Sequence, residues 1–222
     1  MTGKKAIVTG GGRGLGKGMA EGLCQAGAEV VIIGSSDSVF KAAAEFSQKG
    51  YKSFAVKGDL SDEKNIQVIF EQSISYLNGK VDILINNAGV QNRHRCEEFP
   101  LTDWARVIQM NLNVVFALCQ LAGNKMLQQG YGKIINMASM LSFFGGYTVP
   151  AYAASKGGVA QLTKALSNEW AGRNVHVNAI APGYMDTEMN TNIVNDENRN
   201  KEILGRIPAG RWGTPDDMKG LA

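Results

Sequence analysis

Tyr152 and Lys156, in the run YAASK just after Pro150, have the types and the spacing for proton transfer. Proline presets the backbone angle of a first helical turn, so Pro150 predicts a helix start with both side chains near its positive end. Residues four apart on a helix share a face. An ammonium beside a phenol stabilises phenolate and lowers a pKa that is otherwise about 10. At roughly 4 Å and an effective dielectric of about 20, that charge is worth about 4 kcal/mol, or about 3 pKa units. An isolated YxxxK also fits an ordinary solvated helix, so the elements around it must decide.

Those elements alternate. Runs rich in Val and Ile recur at 6–9, 29–33, 53–56, 81–85, 133–137 and 175–180, and short runs apolar on both faces read as buried parallel strands. Helix-length segments lie between them at 15–26, 39–49, 62–77, 102–129 and 150–170. This order predicts βαβ units in an α/β, doubly wound parallel sheet, with residues 1–222 as a single domain. Residues 182–211 break the alternation. Polar and Asn-rich, they follow the sixth strand and read as a substrate-side lid. Near the end, GTPDDM has Thr214 as N-cap and Pro215 at the first position of a helix. The expectation there is that a final helix and an edge strand are missing.

Bulk properties exclude some functions. Lys plus Arg number 23 and Asp plus Glu 20, a balance of +3 with no basic block. That argues against electrostatic binding to nucleic acid or a membrane surface. Cys24, Cys96 and Cys119 match no zinc spacing and read as reduced thiols. Met1 runs directly into the candidate strand KKAIVTG, and no apolar run approaches about 18 residues. The expectation is a cytoplasmic chain that does not span a membrane.

The first strand leads into TGGGRGLG, where Gly10, Gly14 and Gly16 precede a helix beginning near Leu15. Glycines let the backbone turn tightly and approach a pyrophosphate, whose charge meets the free N–H groups of the helix. A glycine-rich turn also occurs for structural reasons alone. Its TGxxxGxG spacing, together with NNAG at 86–89, Asn111, Ser139, YAASK and PG at 182–183, resembles the short-chain dehydrogenases/reductases. Together these motifs cover nearly the whole chain.

The resemblance implies a Rossmann fold and a role for each matched residue. Tyr152 would carry the proton of the reacting oxygen, while Lys156 would lower its pKa and bind the nicotinamide ribose. Ser139 would hydrogen-bond the substrate oxygen, and Asn111 would hold a water linking Lys156 to solvent. Asp59, beside Leu60, would accept from the adenine amine. Asn87, Ala88 and Gly89 would pack around the cofactor, and Pro182, Gly183 and Thr187 would flank its nicotinamide. The implied chemistry is hydride transfer to or from a carbinol carbon, which needs one proton carrier and no metal.

The choice between NAD and NADP stays open. NAD selectivity normally uses an acid at the end of the second strand. Gly34, Ser35 and Ser36 stand there instead, with Asp37 later, and Arg13 in the glycine loop offers a cation for a 2′-phosphate.

Downstream, INMASMLSFFGG, NEWA and EILGRIPAGRWG look much like the group of that family acting on 2-deoxy-D-gluconate or 2-dehydro-3-deoxy-D-gluconate. A sugar acid carries a carboxylate, which an arginine fork matches bidentately. Arg93 in VQNRHR is the candidate, with His94 and Arg95 beside it and Arg211 as a second choice. Met140, Leu141, Phe143, Tyr147 and Met185 are candidate walls of the substrate pocket. Two other readings are a 3-oxoacyl-acyl-carrier-protein reductase and a dinucleotide-binding sensor without catalysis. Family members usually form tetramers, so a homotetramer is expected, with helices 102–129 and 150–170 at its interfaces.

Overall fold

Val and Ile are stiff at χ1 and suit a pleated surface. The six runs rich in them become β1 (Lys5–Thr9), β2 (Glu29–Gly34), β3 (Ser53–Lys57), β4 (Ile83–Asn86), β5 (Gly132–Met137) and β6 (Val175–Ile180). In this computed structural model the strands form one parallel sheet in the order β3-β2-β1-β4-β5-β6. The structure describes residues 1–222, the side chain of Met189 excepted.

Alternation along each strand splits the core in two. Ile7, Val31, Ile33 and Leu84 pack on one face with α3 (Glu63–Tyr76), α5 (Val114–Gln129) and α6 (Pro150–Trp170). Val8, Val30, Ile32 and Ile85 pack on the other with α1 (Gly14–Gln25) and α2 (Ser38–Gln48). Successive side chains of a strand point to opposite faces, so a run apolar at every position fills both.

The 102–129 segment is one continuous helix, Leu101–Gln129, with a π-turn at Gln109–Asn113 between its parts α4 (Leu101–Ile108) and α5. The turn's middle residue, Asn111, is fully buried, and its amide bonds the backbone of Val90 on a neighbouring loop. By length and composition alone, Leu101–Gln129 is apolar enough to cross a membrane. Here its stripe of Val114, Leu118, Ala122 and Met126 packs into the core.

The 182–211 segment is more ordered than its composition implies. It contains α7 (Thr191–Val194) and α8 (Glu197–Leu204), the latter capped by Asp196. A bridge between Met185 and Gly213 closes it at the base. Thr214 and Asp217 form a reciprocal cap, but the turn that follows, Pro215–Met218, is 3-10 where an α-helix was expected.

Strand order reverses between β1 and β4, which leaves a crevice at their carboxyl ends. The Thr9 hydroxyl accepts from Asn87 N and Ala88 N, both at 3.0 Å. In return the Asn87 amide donates to the Thr9 carbonyl at 3.0 Å, so the glycine loop and the NNAG turn are pinned to each other.

Candidate active site

Gly10 sits at φ +65, where a side chain would be strained and a Cβ would stand 2.8 Å from the Asn87 amide. A Cβ on Gly16 would fall 2.3 Å from the Gly10 carbonyl oxygen. The loop therefore hugs the start of α1. Arg13, the N-cap, makes no side-chain cap and the first turn carries no acid, so among the described residues no side chain answers the first N–H groups. A helix start in that condition fits an anion such as pyrophosphate.

Across the crevice, α6 begins at Pro150 as its sequence dictates and presents Tyr152 and Lys156 on one face. Lys156 is 5 % exposed. Its ammonium donates to the Met137 carbonyl at 2.5 Å and lies 5.6 Å from the centre of the Tyr152 ring. Burial lowers its pKa to about 8, which leaves it mostly cationic at neutral pH. Burial pushes the Tyr152 phenol up from its ordinary value, and the Ser139 hydroxyl draws it partly back. The ammonium's hydrogen bond goes to Met137, and for the phenol burial is the larger effect.

Ser139 caps the 3-10 turn Met140–Ser142, accepting from Leu141 N at 3.2 Å. Met140 N donates to the Pro182 carbonyl at 3.1 Å, so the Ser139 loop is tied to the PG turn after β6. Asn111 donates to the Ser155 hydroxyl at 3.2 Å, and that hydroxyl donates to the Tyr152 carbonyl at 2.8 Å. Ser139, Tyr152, Lys156 and Asn111 are thus joined through a few hydrogen bonds beside a phosphate-type loop.

The family model for short chain dehydrogenases matches residues 4–198. The chain belongs to the short-chain dehydrogenases. Similar to it is a 2-dehydro-3-deoxy-D-gluconate 5-dehydrogenase of Bacillus subtilis (strain 168), 47% identical, with 100% of this chain and 87% of that one aligned. A crystal structure of a gluconate 5-dehydrogenase from Burkholderia cenocepacia J2315 in complex with NADP and tartrate superposes with a TM-score of 0.94 at 35% identity, over 100% of this chain and 87% of that one. A candidate NAD(P) dependent gluconate 5-dehydrogenase from Beutenbergia cavernae with bound NADP at low occupancy gives 0.96 at 44% identity, over 100% and 88%.

Not every residue expected at the site of this dehydrogenase is placed to act there. Met185 is 7 % exposed and buried with the core on the α1 side, where its sulfur fills the space beside Gly213. It braces the base of the lid, where the sequence reading put it at the substrate. Leu60 likewise gives its side chain to the core, leaving only backbone for a ligand. Arg211 is held bidentately by Asp217, at 2.8 and 2.7 Å, so a ligand carboxylate would have to displace that partner. Asp59 accepts from Ser61 N and Oγ, which hold its carboxyl below the usual range.

Arg93 fits its expectation better. Its pKa is lowered by burial and then by the charge of Arg199 on α8, with no acid among the causes. Its loop is fixed by His94, whose N–H bonds the Thr148 carbonyl at 3.0 Å and whose ring meets Asp103 at 2.7 Å. Thr148, two residues before α6, stands at φ +63, a strained setting for a β-branched residue. Met140, Phe143 and Tyr147 are exposed around the mouth of the crevice. Ser35 and Ser36 are exposed after β2, and Asp37 is held by Lys57 at 2.8 Å.

Three site residues escaped the sequence reading. Thr9 and Ser155 are described above, and Ser142 donates to the Lys156 carbonyl at 2.7 Å while accepting from Ser139 N. The only trace in sequence was the S-x-x-S spacing of a capping box around Ser139.

Proposed function

We propose that this dehydrogenase interconverts a secondary alcohol and a ketone on a deoxy-sugar acid, 2-dehydro-3-deoxy-D-gluconate or 2-deoxy-D-gluconate, with NAD or NADP. The observation that carries it is the junction of Ser139, Tyr152 and Lys156 beside an uncapped helix start built for a diphosphate. Bound nicotinamide supplies the hydride acceptor or donor. Gly10, Gly14, Leu15 and Gly16 hold its diphosphate side, with Arg13, Ser35, Ser36 and Asp59 at the adenosine end. Asn87, Ala88, Gly89, Pro182, Gly183 and Thr187 line the rest.

Tyr152 Oη gives a proton to the carbonyl oxygen in reduction and takes it from the hydroxyl in oxidation. Its raised pKa keeps it a phenol at neutral pH, ready to donate. Ser139 Oγ holds the same substrate oxygen. Lys156 places a cation beside the Tyr152 ring, and Asn111, through Ser155, holds the Tyr152 carbonyl.

Arg93 takes the carboxylate, with Arg199 adding positive potential from the lid of residues 182–211. Support for the substrate class comes from the relatives, which are named for gluconate and its deoxy-keto derivative, and from the tartrate held by one of them. Exposed Leu101, Trp104 and Phe116 on α4 and α5 support a homotetramer. Three unbridged thiols suit a reducing cytoplasm.

The test is nicotinamide absorbance at saturating substrate, using sugar acids, keto acids and a 3-oxoacyl thioester. Turnover of the thioester alone sinks the sugar-acid reading. Tyr152→Phe is expected to abolish turnover while dinucleotide binding survives. Arg93→Ala is expected to raise the KM for sugar acids, and an unchanged KM removes its role.

A further inference from the structure

Arg13 lies between two surfaces. On one side of it, a Cβ on Gly12 would stand 2.4 Å from Ser38 Oγ, so the glycine loop touches the turn between β2 and α2. On the other side, a Cβ on Gly14 would stand 3.9 Å from the Thr187 methyl, where the lid begins. The first surface carries the exposed Ser35 and Ser36, and the Asp37 carboxylate beside them is paired with Lys57 at 2.8 Å. The second carries Glu188. In the structure the Arg13 guanidinium is on the lid side, bonded to the Glu188 carboxylate at 2.5 Å.

We propose that Glu188 sets cofactor choice in this enzyme by competing with the cofactor's 2′-phosphate for Arg13. The proposal rests on the glycine loop being the dinucleotide site. Both partners are about two-thirds exposed, at 70% and 68%, and an exposed ion pair is weak. A single Nη1 contact binds Glu188, whereas a phosphate monoester carries about −1.5 to −2 charges at neutral pH and accepts both arms of an arginine. NADP therefore draws Arg13 away from the lid toward Ser35 and Ser36. NAD has nothing to draw it with, so Glu188 keeps Arg13 and the lid stays tied to the glycine loop. Selectivity is the difference between these two outcomes, and Glu188 lowers it by stabilising the Arg13 position that NADP must undo.

Titration calorimetry of the full chain with NADP and with NAD, each without substrate, tests this. Glu188→Gln is expected to tighten NADP about two- to fivefold, the range of a weak exposed pair, and to change NAD less. Glu188→Asp, which keeps the charge, is expected to retain most of the original ratio. In Arg13→Ala/Glu188→Gln the gain is expected to vanish relative to Arg13→Ala. Equal tightening of both dinucleotides, no change, or weaker NADP binding overturns the role of Glu188 while leaving the dinucleotide site intact. Failure of the unaltered chain to bind either dinucleotide overturns both.

Discussion

The Lys156 ammonium lies 5.6 Å from the Tyr152 ring centre and spends a hydrogen bond on the Met137 carbonyl. The two residues of the YAASK run thus meet at a distance where the lysine acts as much on the strand beside it as on the phenol. A buried ammonium with one acceptor is a costly arrangement, and its cost depends on pH.

That dependence is measurable. With its folded pKa at about 8 against an ordinary 10.5, Lys156 holds its proton in both states below about pH 8, and the folded chain bears the whole desolvation penalty there. From about pH 8 to 10.5 the folded chain releases the proton while the unfolded chain keeps it, so stability rises with pH. Cys24 and Cys119, pushed up to about 12, act in the opposite sense above about 9. Comparing the wild type with Lys156→Met cancels them. Urea unfolding is expected to show the wild type gaining on the variant by on the order of 1 kcal/mol between pH 7 and 9. A difference that stays flat with pH contradicts the burial.

Asn111 offers a second test. Its side chain satisfies both backbone groups of Val90, at 2.8 and 2.9 Å, from inside the π-turn. Asn111→Ala leaves those groups unpaired and is expected to cost about 2 kcal/mol in urea unfolding. Unchanged stability would assign Asn111 to proton delivery alone.

Ser142 touches neither the substrate oxygen nor the phenol, yet it ties the Ser139 backbone to the Lys156 carbonyl. Ser142→Ala is expected to lower kcat about threefold to tenfold with KM for the dinucleotide unchanged, matching the loss of about 1 kcal/mol of hydrogen bonding. Ser142→Thr restores the hydroxyl and should recover most of kcat. A purely structural serine would move stability and leave kcat per folded molecule alone.

Cys96 is exposed, whereas Cys24 and Cys119 are buried. Maleimide is expected to label one thiol rapidly in the native chain and all three after unfolding. Rapid labelling of a second thiol would contradict the core on one face of the sheet.

The sheet and the reactive residues were legible because they depend on local chemistry. Val and Ile runs announced the strands, Pro150 fixed the first turn of α6, and the spacing of Tyr152 and Lys156 followed. Bounds slipped at strand ends: β4 runs only from Ile83, although Asp82 N still donates to the Lys5 carbonyl at 2.8 Å and Lys133 N to the Asp82 carbonyl at 2.9 Å, while Val81 N goes to the Gln129 side chain. The π-turn was hidden because apolar residues keep recurring at helical spacing across it. Ser142, Ser155 and Thr9 were hidden for a different reason, since a hydroxyl's task depends on which backbone group lies opposite. Arg93 and Arg211 look alike in sequence. Only the fold reveals that Asp217 claims one of them.

The crevice is made where β1 joins β4, and that junction ties Lys5 to Asp82 across 77 positions of chain. During synthesis, β1, β2 and β3 can pair with one another long before β4 exists. Until residues 83–86 leave the ribosome, the β1 edge is an open template of backbone N–H and C=O groups flanked by apolar side chains. The seam that shapes the crevice is therefore an open strand edge in the nascent chain until β4 pairs with it.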